Sequence, residues 1–486
     1  MSQPKNKKFY MVMGISFVTM ILFGKLPPFG SMTVYGMQYL GVFLGCIFGW
    51  LFSVVIPVSL MGVVMSGILI SGQTVDKMVI SLQSANMVLV VFWAFFFVYA
   101  LQQCGLLDYL SSKIMSLRFC TKSPWHLAIA IWVCAMVCAG ISAQPFATAI
   151  IMFSMYYSVA EKVGANKASR YTSFVLVGMA CMCSISTGMV PYAGNILTSL
   201  TFMSAVVPDA VFNIPAICVV NFCVTLGVLI ALAILLKALL ITKVIVPEFE
   251  LKDSGALFDH AATLDTKVKW GFFYIVLLVA MMMIPTFLPA ESAVKVFFGR
   301  IGMLGMFVTV VTLMCVTSVH GERLLDIEAA IKGGAVSWQV YFMMGAALVI
   351  SGQLVTEQAG LSITIQNALG GFVGNLSIYA LCFIFICVGL VLTNCITNTV
   401  AMQLIIPVLA IFIVAKGYDP VIISGLSGIV LVYGQILPSG SPLGAFLHGN
   451  VEWVDAKQCY LFTICSAICV MISVGVIGIP LGLLMS

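Results

Sequence analysis

Apolar stretches close to the length needed to cross a bilayer recur from one end of this 486-residue chain to the other. Positions 10–23, 40–54, 88–101, 216–240, 270–289, 303–319, 341–354, 378–392 and 461–485 carry almost no charge. Charged residues make up 8% of the chain, against about 25% in a soluble domain, so a water-soluble globule is excluded. Runs of this kind read as transmembrane helices, roughly eleven of them, some short and some running together. The fold class expected is therefore an all-α polytopic membrane protein.

The net charge of +5 is not gathered on one face, as a nucleic-acid partner would require. The basic residues sit instead in short connections. Lys5, Lys7 and Lys8 precede the first apolar stretch, which by the positive-inside rule keeps the N-terminus cytoplasmic. Lys162, Lys167 and Arg170, then Lys237 and Lys243, mark further inner-face loops. The first stretch lacks a small-residue cleavage site and reads as a retained span, and the compact loops suit a bacterial inner membrane. Sixteen cysteines fall mostly inside apolar runs, where they act as small core hydrophobes. Cys134 and Cys138 share a helical face and Cys181 and Cys183 are near neighbours, but no Cys/His cluster has zinc-site spacing. Neither a structural metal nor an organic cofactor is expected.

Against this oily background two polar islands stand out, 140–145 (Gly-Ile-Ser-Ala-Gln-Pro) and 393–399 (Thr-Asn-Cys-Ile-Thr-Asn-Thr). An offset of 255 carries Ile141-Ser142 onto Ile396-Thr397, Gly105 onto Gly360 and Met152 onto Pro407. Ser184 to Gly188 likewise falls near Pro438, Ser439, Gly440, Ser441 and Pro442, with a drift of a few residues. Landmarks repeated in one order argue for duplication. The densest charge away from the termini lies at 246–269, with Glu248, Glu250, Lys252, Asp253, Asp259, Asp265 and Lys267. It divides the chain into an N-terminal half at 1–245, with a hairpin at about 124–160, and a C-terminal half at 270–486, with a hairpin at about 378–415. An odd number of spans in the first half would make the repeats inverted.

Five hydrogen-bonding side chains within seven positions, Thr393, Asn394, Thr397, Asn398 and Thr399, are too dense for a helix facing lipid. Small polar residues do bridge membrane helices, but this density implies a protein-buried or watery cavity. An interrupted helix exposes carbonyls at one half-helix end, suited to Na⁺, and amides with a positive dipole end at the other, suited to carboxylate. Pro438, Gly440, Pro442 and Gly444 interrupt a second apolar approach, and positions 186–195 form its counterpart. A surface turn would explain either one alone; four interruptions together build one cavity.

Thr397-Asn398-Thr399, eight residues before Pro407, resembles the Ser-Asn-Thr hairpin tip of the divalent anion/sodium symporter family, within the ion transporter superfamily. The 437–442 stretch is similar to the Thr-Pro-Pro-Asn loop that follows it there. The resemblance covers most of the chain. It implies two inverted repeats with re-entrant hairpins and discontinuous helices, a homodimer, and an elevator-type transporter of dicarboxylates, citrate or sulfate. It places Na⁺ at Thr393, Ile396 and Asn398, and a substrate carboxylate at Thr397, Asn398 and Thr399. Ser142 and Gln144 of the first tip face them, with the regions of Thr187, Ser441 and Pro442 closing the sides. Ser142 and Thr187 are what remains for a degenerate first-half cation site, because Ala143 stands where the family has asparagine.

That replacement bears on coupling. Each uncompensated charge costs about 2.3 kcal/mol per 100 mV, so the membrane potential opposes entry of a dianion with a single Na⁺. Sodium symport of di- or tricarboxylates is the expected activity. Sodium-independent dicarboxylate exchange, or carriage of an inorganic anion such as sulfate, is the alternative. All 17 acidic residues fall in expected loops or span ends, which disfavours a dedicated proton relay; His448 remains the titratable group nearest the loop. An intramembrane enzyme would need buried acids or clustered histidines that the sequence does not offer, and a passive pore does not account for duplicated broken segments.

Overall fold

A computed structural model describes residues 7–486 apart from 53, 107–108, 111–112, 114–118, 120–121, 248, 250–263, 290, 355, 362, 365–366, 368–374 and 439. Glu248, Glu250, Lys252, Asp253 and Asp259 of the expected connector, and Ser439, lie outside the described residues. The first half begins with α1 (Lys7–Phe23), α2 (Val34–Leu51), α3 (Val55–Leu69), α4 (Val75–Ser84) and α5 (Asn86–Gln103). It continues with α6 (Pro124–Ser142), α7 (Pro145–Val163), α8 (Arg170–Ile185), α9 (Gly194–Ser204) and α10 (Ile214–Ile241). The second half holds α11 (Thr266–Met283), α12 (Ala293–Val316), α13 (Ile327–Lys332), α14 (Trp338–Leu354) and α15 (Ile378–Cys395). After these come α16 (Asn398–Ala415), α17 (Val421–Val430), α18 (Pro442–Gly449), α19 (Ala456–Ser473) and α20 (Ile479–Leu484), the last two joined by a π-helical turn. A two-stranded ribbon at 318–323 interrupts the helices, and Lys267 at the start of α11 pairs with its Glu322.

Among the described residues, seven helical spans are long and apolar enough to cross a membrane, eight if the bent pair Val75–Ser84 and Val88–Gln103 counts as one. The sequence suggested roughly eleven. The difference lies in apolar helices that stop short, such as Val55–Leu69 and Val421–Val430. A hydropathy window cannot tell a short or broken segment from a full crossing.

The duplication is visible element by element. Asn86 and Trp338, Pro124 and Ile378, Pro145 and Asn398, and Arg170 and Val421 begin corresponding helices, 251 to 254 positions apart. Both hairpins open on a serine cap: Ser123 accepts from His126 N, and Ser377 from Ala380 N. Gly105 and Gly360 both take a left-handed φ, +69° and +75°, and a Cβ on Gly360 would lie 2.0 Å from the Ser31 carbonyl oxygen.

Packing fixes the relative direction of the halves. The 28-residue α10, about 42 Å long, runs antiparallel to the α19–α20 pair, with Val224 against Gly478 and Gly227 against Ser473. Helix α8 starts beside the end of α10, where Arg170 donates to the Val244 carbonyl, and beside the start of α19, where Asp455 N donates to Ser173 Oγ. Helix α17 starts at the opposite end, its Gly425 against Ile217 near the start of α10 and its Ile423 against Gly482 of α20. The two helices enter from opposite ends, and their C-terminal ends meet midway. There a Cβ on Gly188 would come within 1.8 Å of Ile429, and Gln435 Nε2 donates to Ser184 Oγ at 2.6 Å. The repeats are therefore inverted. Every residue of α8 from Tyr171 to Ile185 is buried, so the meeting point is protein-enclosed.

The turn of the first hairpin is made by Ala143, at φ 52° and ψ 21°, a region that disfavours a residue with a Cβ by about 1–2 kcal/mol. Two outcomes are expected. Ala143→Gly should raise the unfolding temperature of the purified protein in detergent, by about 1 kcal/mol of added stability. Single cysteines at Asn166 and Tyr418, at the bases of the two hairpins in a cysteine-free background, should react with a membrane-impermeant maleimide from opposite sides of the membrane. Labelling of both from one side would contradict the inverted arrangement.

Candidate functional site

Both polar islands reach one cavity of about 190 Å³. Gln144 and Pro145 come from the first hairpin, Asn398, Thr399 and Met402 from the second, Thr187 and Asn195 from the first broken segment, and Val432 from the second. Val91, Phe95 and Val340, on α5 and α14, close it with apolar surface, and no residue lining it carries charge.

Three helices begin at this cavity without a side-chain cap. They are α7, whose N-cap is Gln144, α9, whose N-cap is Ala193, and α16, whose N-cap is Thr397. The first turn of each carries backbone N–H groups with no intrahelical partner, and each contributes a positive dipole end. Elsewhere Thr33, Thr74, Ser169, Asn213, Asp455 and others cap their helices through side-chain oxygens. Three uncapped starts sharing one uncharged cavity offer backbone donors of the kind an anion takes.

The second tip is clasped to its broken segment by side-chain amides. Asn394, 3% exposed, uses its whole amide: Nδ2 donates to the carbonyls of Leu390 (2.8 Å) and Tyr433 (3.1 Å), and Oδ1 accepts from Ile436 N (2.7 Å). Asn398 Nδ2 donates to the Val432 carbonyl at 3.2 Å, while Thr393 Oγ1 lies 2.8 Å from Asn398 Oδ1 and 2.5 Å from the Leu431 carbonyl oxygen. The backbone closes in around these groups. A Cβ on Gly434 would sit 2.7 Å from Asn398 Oδ1, and one on Gly440 would sit 3.0 Å from the Thr393 carbonyl oxygen. This is a pocket of neutral oxygens of the kind a hard monovalent cation takes. Ile396 caps α15 with extended backbone, and Thr397 is exposed and outside the cavity lining.

The first tip is held differently. Ser142, 1% exposed, is engaged with Thr148 at 2.6 Å and accepts from Gln144 N at 3.2 Å, so it braces the turn behind the cavity. The tether to the broken segment runs the other way: Tyr192 OH donates to the Ile141 carbonyl at 2.7 Å. Thr187 donates to the Ser184 carbonyl (2.8 Å) and accepts from Asn195 Nδ2 (3.1 Å), and Asn195 Oδ1 is buried with no partner among the described residues. Ser441 caps α18 by accepting from Gly444 N at 2.9 Å, and Pro442 follows at the first helical position. Both frame the second broken segment rather than line the cavity. His448, bonded to the Gln435 carbonyl and packed on Tyr460, also stands outside it.

Asn394 and Asn195 are the residues that sequence reasoning left without a role. Each lay inside a stretch already singled out, yet only the fold shows that one amide is fully spent and the other half spent.

The profile of the citrate transporter family matches residues 43–428. Two curated proteins match over shorter segments. The uncharacterized transporter MJ0672 of Methanocaldococcus jannaschii is 29% identical over 115 residues, 24% of this chain and 26% of that one. The sodium-dependent high-affinity dicarboxylate transporter 3 of Caenorhabditis elegans is 24% identical over 113 residues, 23% of this chain and 19% of that one. The chain thus spans about a quarter and a fifth of the curated relatives it matches. The YdaH transporter of Alcanivorax borkumensis has the same fold, with a TM-score of 0.58 over 91% of this chain and 98% of that one, at 13% identity. With more than half its length matched by the family profile, the chain is a multi-pass membrane protein that belongs to the citrate transporter family, a family of transporters rather than enzymes.

Proposed function

We propose that this protein is a secondary carrier of small di- or tricarboxylates, driven by sodium symport, with its substrate held between the two hairpin tips. The observation that carries the reading is the convergence of three uncapped helix N-termini on a cavity with no charged side chain. Carboxylates are bound there by backbone N–H groups and dipole ends, with the Asn398 and Thr399 side chains beside them. Such a site holds an anion without a fixed cationic side chain, which favours release once the cavity opens.

Sodium is assigned to the oxygens around Thr393, Ile396 and Asn398. Binding there would withdraw Asn398 Oδ1 from Thr393 and couple the cation to the tip that also meets substrate. In the first half Ser142 and Thr187 are already engaged with neighbours, and Ala143 offers no side-chain oxygen. That asymmetry favours fewer cations than a symmetric pair of sites, and it gives anion exchange a specific basis as the second reading. The bonds from Gln435 to α8 and the seating of Gly188 on Ile429 knit the broken helices into one block. In an elevator mechanism that block and the hairpins move together, within a homodimer whose N-termini face the cytoplasm.

Uptake of labelled succinate and citrate into proteoliposomes is expected to follow an inward sodium gradient, and to cease when sodium is absent. Uptake that needs only preloaded internal dicarboxylate would identify the exchanger. Asn398→Ala should lower uptake at limiting sodium by at least about tenfold, the effect of losing a buried hydrogen-bonding partner. Wild-type uptake and sodium dependence in that variant would remove both ligands from this position.

A further inference from the structure

A larger cavity, of about 500 Å³, lies along the same three helices as the candidate site. Asn86 of α5, Ser204 of α9 and Leu348 of α14 line it, where Val91, Thr198 and Val340 of those helices line the first. Five residues along α5 and six along α9 separate the two, about 8 and 9 Å of helix. Val340, Met344 and Leu348 share one face of α14, and the fully buried Met344 takes the Thr198 hydroxyl on its sulfur at 3.6 Å. That pair stands in the layer dividing the cavities.

The second cavity differs from the first in charge. Lys77 of α4 reaches its wall and is the charged side chain among the described residues that line it. No ion pair engages its amine among the described residues. Asp76 precedes it, but consecutive helix residues do not face each other, and neither Asp76 nor Asp209 lines the cavity. Ser81 donates to the Lys77 carbonyl and Ser204 to the Thr201 carbonyl, both at 2.8 Å, so these hydroxyl protons are committed within their own helices. Pro208 and Phe212 carry the wall on toward the start of α10, the end of the molecule that bears Tyr418, whereas Arg170 marks the other end. With the N-terminus cytoplasmic, as proposed above, this mouth faces outward.

The partial charges of helix ends act only within about a turn, so the uncharged site draws an anion from water weakly. A full positive charge in the preceding cleft raises the local concentration of anions. Because it stays outside the transport cavity, it does not hold the substrate there. We infer that the second cavity is an entry site, in which Lys77 gathers the carboxylate substrate before it reaches the hairpin tips. This rests on the carboxylate reading above and adds a residue outside that site.

The test is uptake of labelled succinate or citrate by cells that express the full-length protein and have no such uptake of their own. Lys77→Gln should raise KM at least about threefold at low ionic strength and leave Vmax unchanged, and Lys77→Arg should behave as the wild type. Added salt at constant sodium should raise the wild-type KM and close the gap. In a cysteine-free background, Lys77→Cys allows the charge to be chosen after folding. Aminoethyl methanethiosulfonate applied from outside should restore the low KM, and the sulfonatoethyl reagent should raise it further. A KM that follows neither the substitutions nor the added charge overturns the inference, while persisting uptake leaves the carboxylate reading standing. A loss of Vmax common to Lys77→Gln and both modified forms makes Lys77 structural and overturns it too. Uptake of neither carboxylate by the wild type overturns both.

Discussion

Breaking a helix inside a membrane leaves carbonyl and amide groups that no water is present to satisfy, and the rest of this structure depends on how that is answered. In the second half Asn394 does most of it. Its amide bonds two carbonyls and one N–H, joining the last turn of α15 to the interrupted segment at 433–436. Thr393 and Asn398 add the carbonyls of Leu431 and Val432. The chain can leave helical geometry at 431–438 because these side chains stand in for the missing ladder. Close backbone approach is the other half of the solution, since Gly434 and Gly440 fit only without a Cβ.

The first half meets the same constraint with different chemistry. Tyr192 reaches back to the carbonyl of Ile141, Asn221 Nδ2 holds the carbonyl of Gly188, and Thr187 bonds one turn back to Ser184. No asparagine stands at the tip, where Ala143 occupies the left-handed turn and the neighbouring amide is that of Gln144. Two halves with one topology thus differ in the chemistry of their tips. One tip presents an amide and a hydroxyl among converging backbone oxygens, and the other presents the Gln144 amide in front of a closed hydroxyl pair, Ser142 with Thr148. Inversion brings the unlike tips to the same cavity.

The absence of charge from that cavity follows from the same physics. A fixed lysine or arginine at this depth would need its own compensation each time the site emptied, whereas N–H groups at helix ends are partial charges fixed in the fold. The rest of the cavity wall mixes apolar side chains with the neutral polar ones of Gln144, Thr187, Asn195, Thr198, Asn398 and Thr399.

Much of the fold was legible in the sequence because bilayer solvation acts on composition directly. Apolar runs had to leave water for lipid or protein, the polar islands at 140–145 and 393–399 had to be enclosed, and repetition at a nearly constant offset placed two hairpins at about 124–160 and 378–415. Gln144, Thr187, Asn398 and Thr399 were readable as neighbours of one cavity for the same reason. What tertiary structure decided was direction and occupancy. The inversion is set by where Arg170, Gly425 and Gly482 pack along α10 and α20, contacts that span parity predicts only weakly. Whether a polar residue is spent or free depends on partners far away in sequence: Asn394 is consumed by Tyr433 and Ile436, and the Gln435 NH₂ by Ala180 and Ser184. Asn195 keeps an empty acceptor because Thr187 and Ser184 fix its orientation. Composition determines that such groups must be buried together; only packing determines which of their hydrogen bonds remain for a ligand.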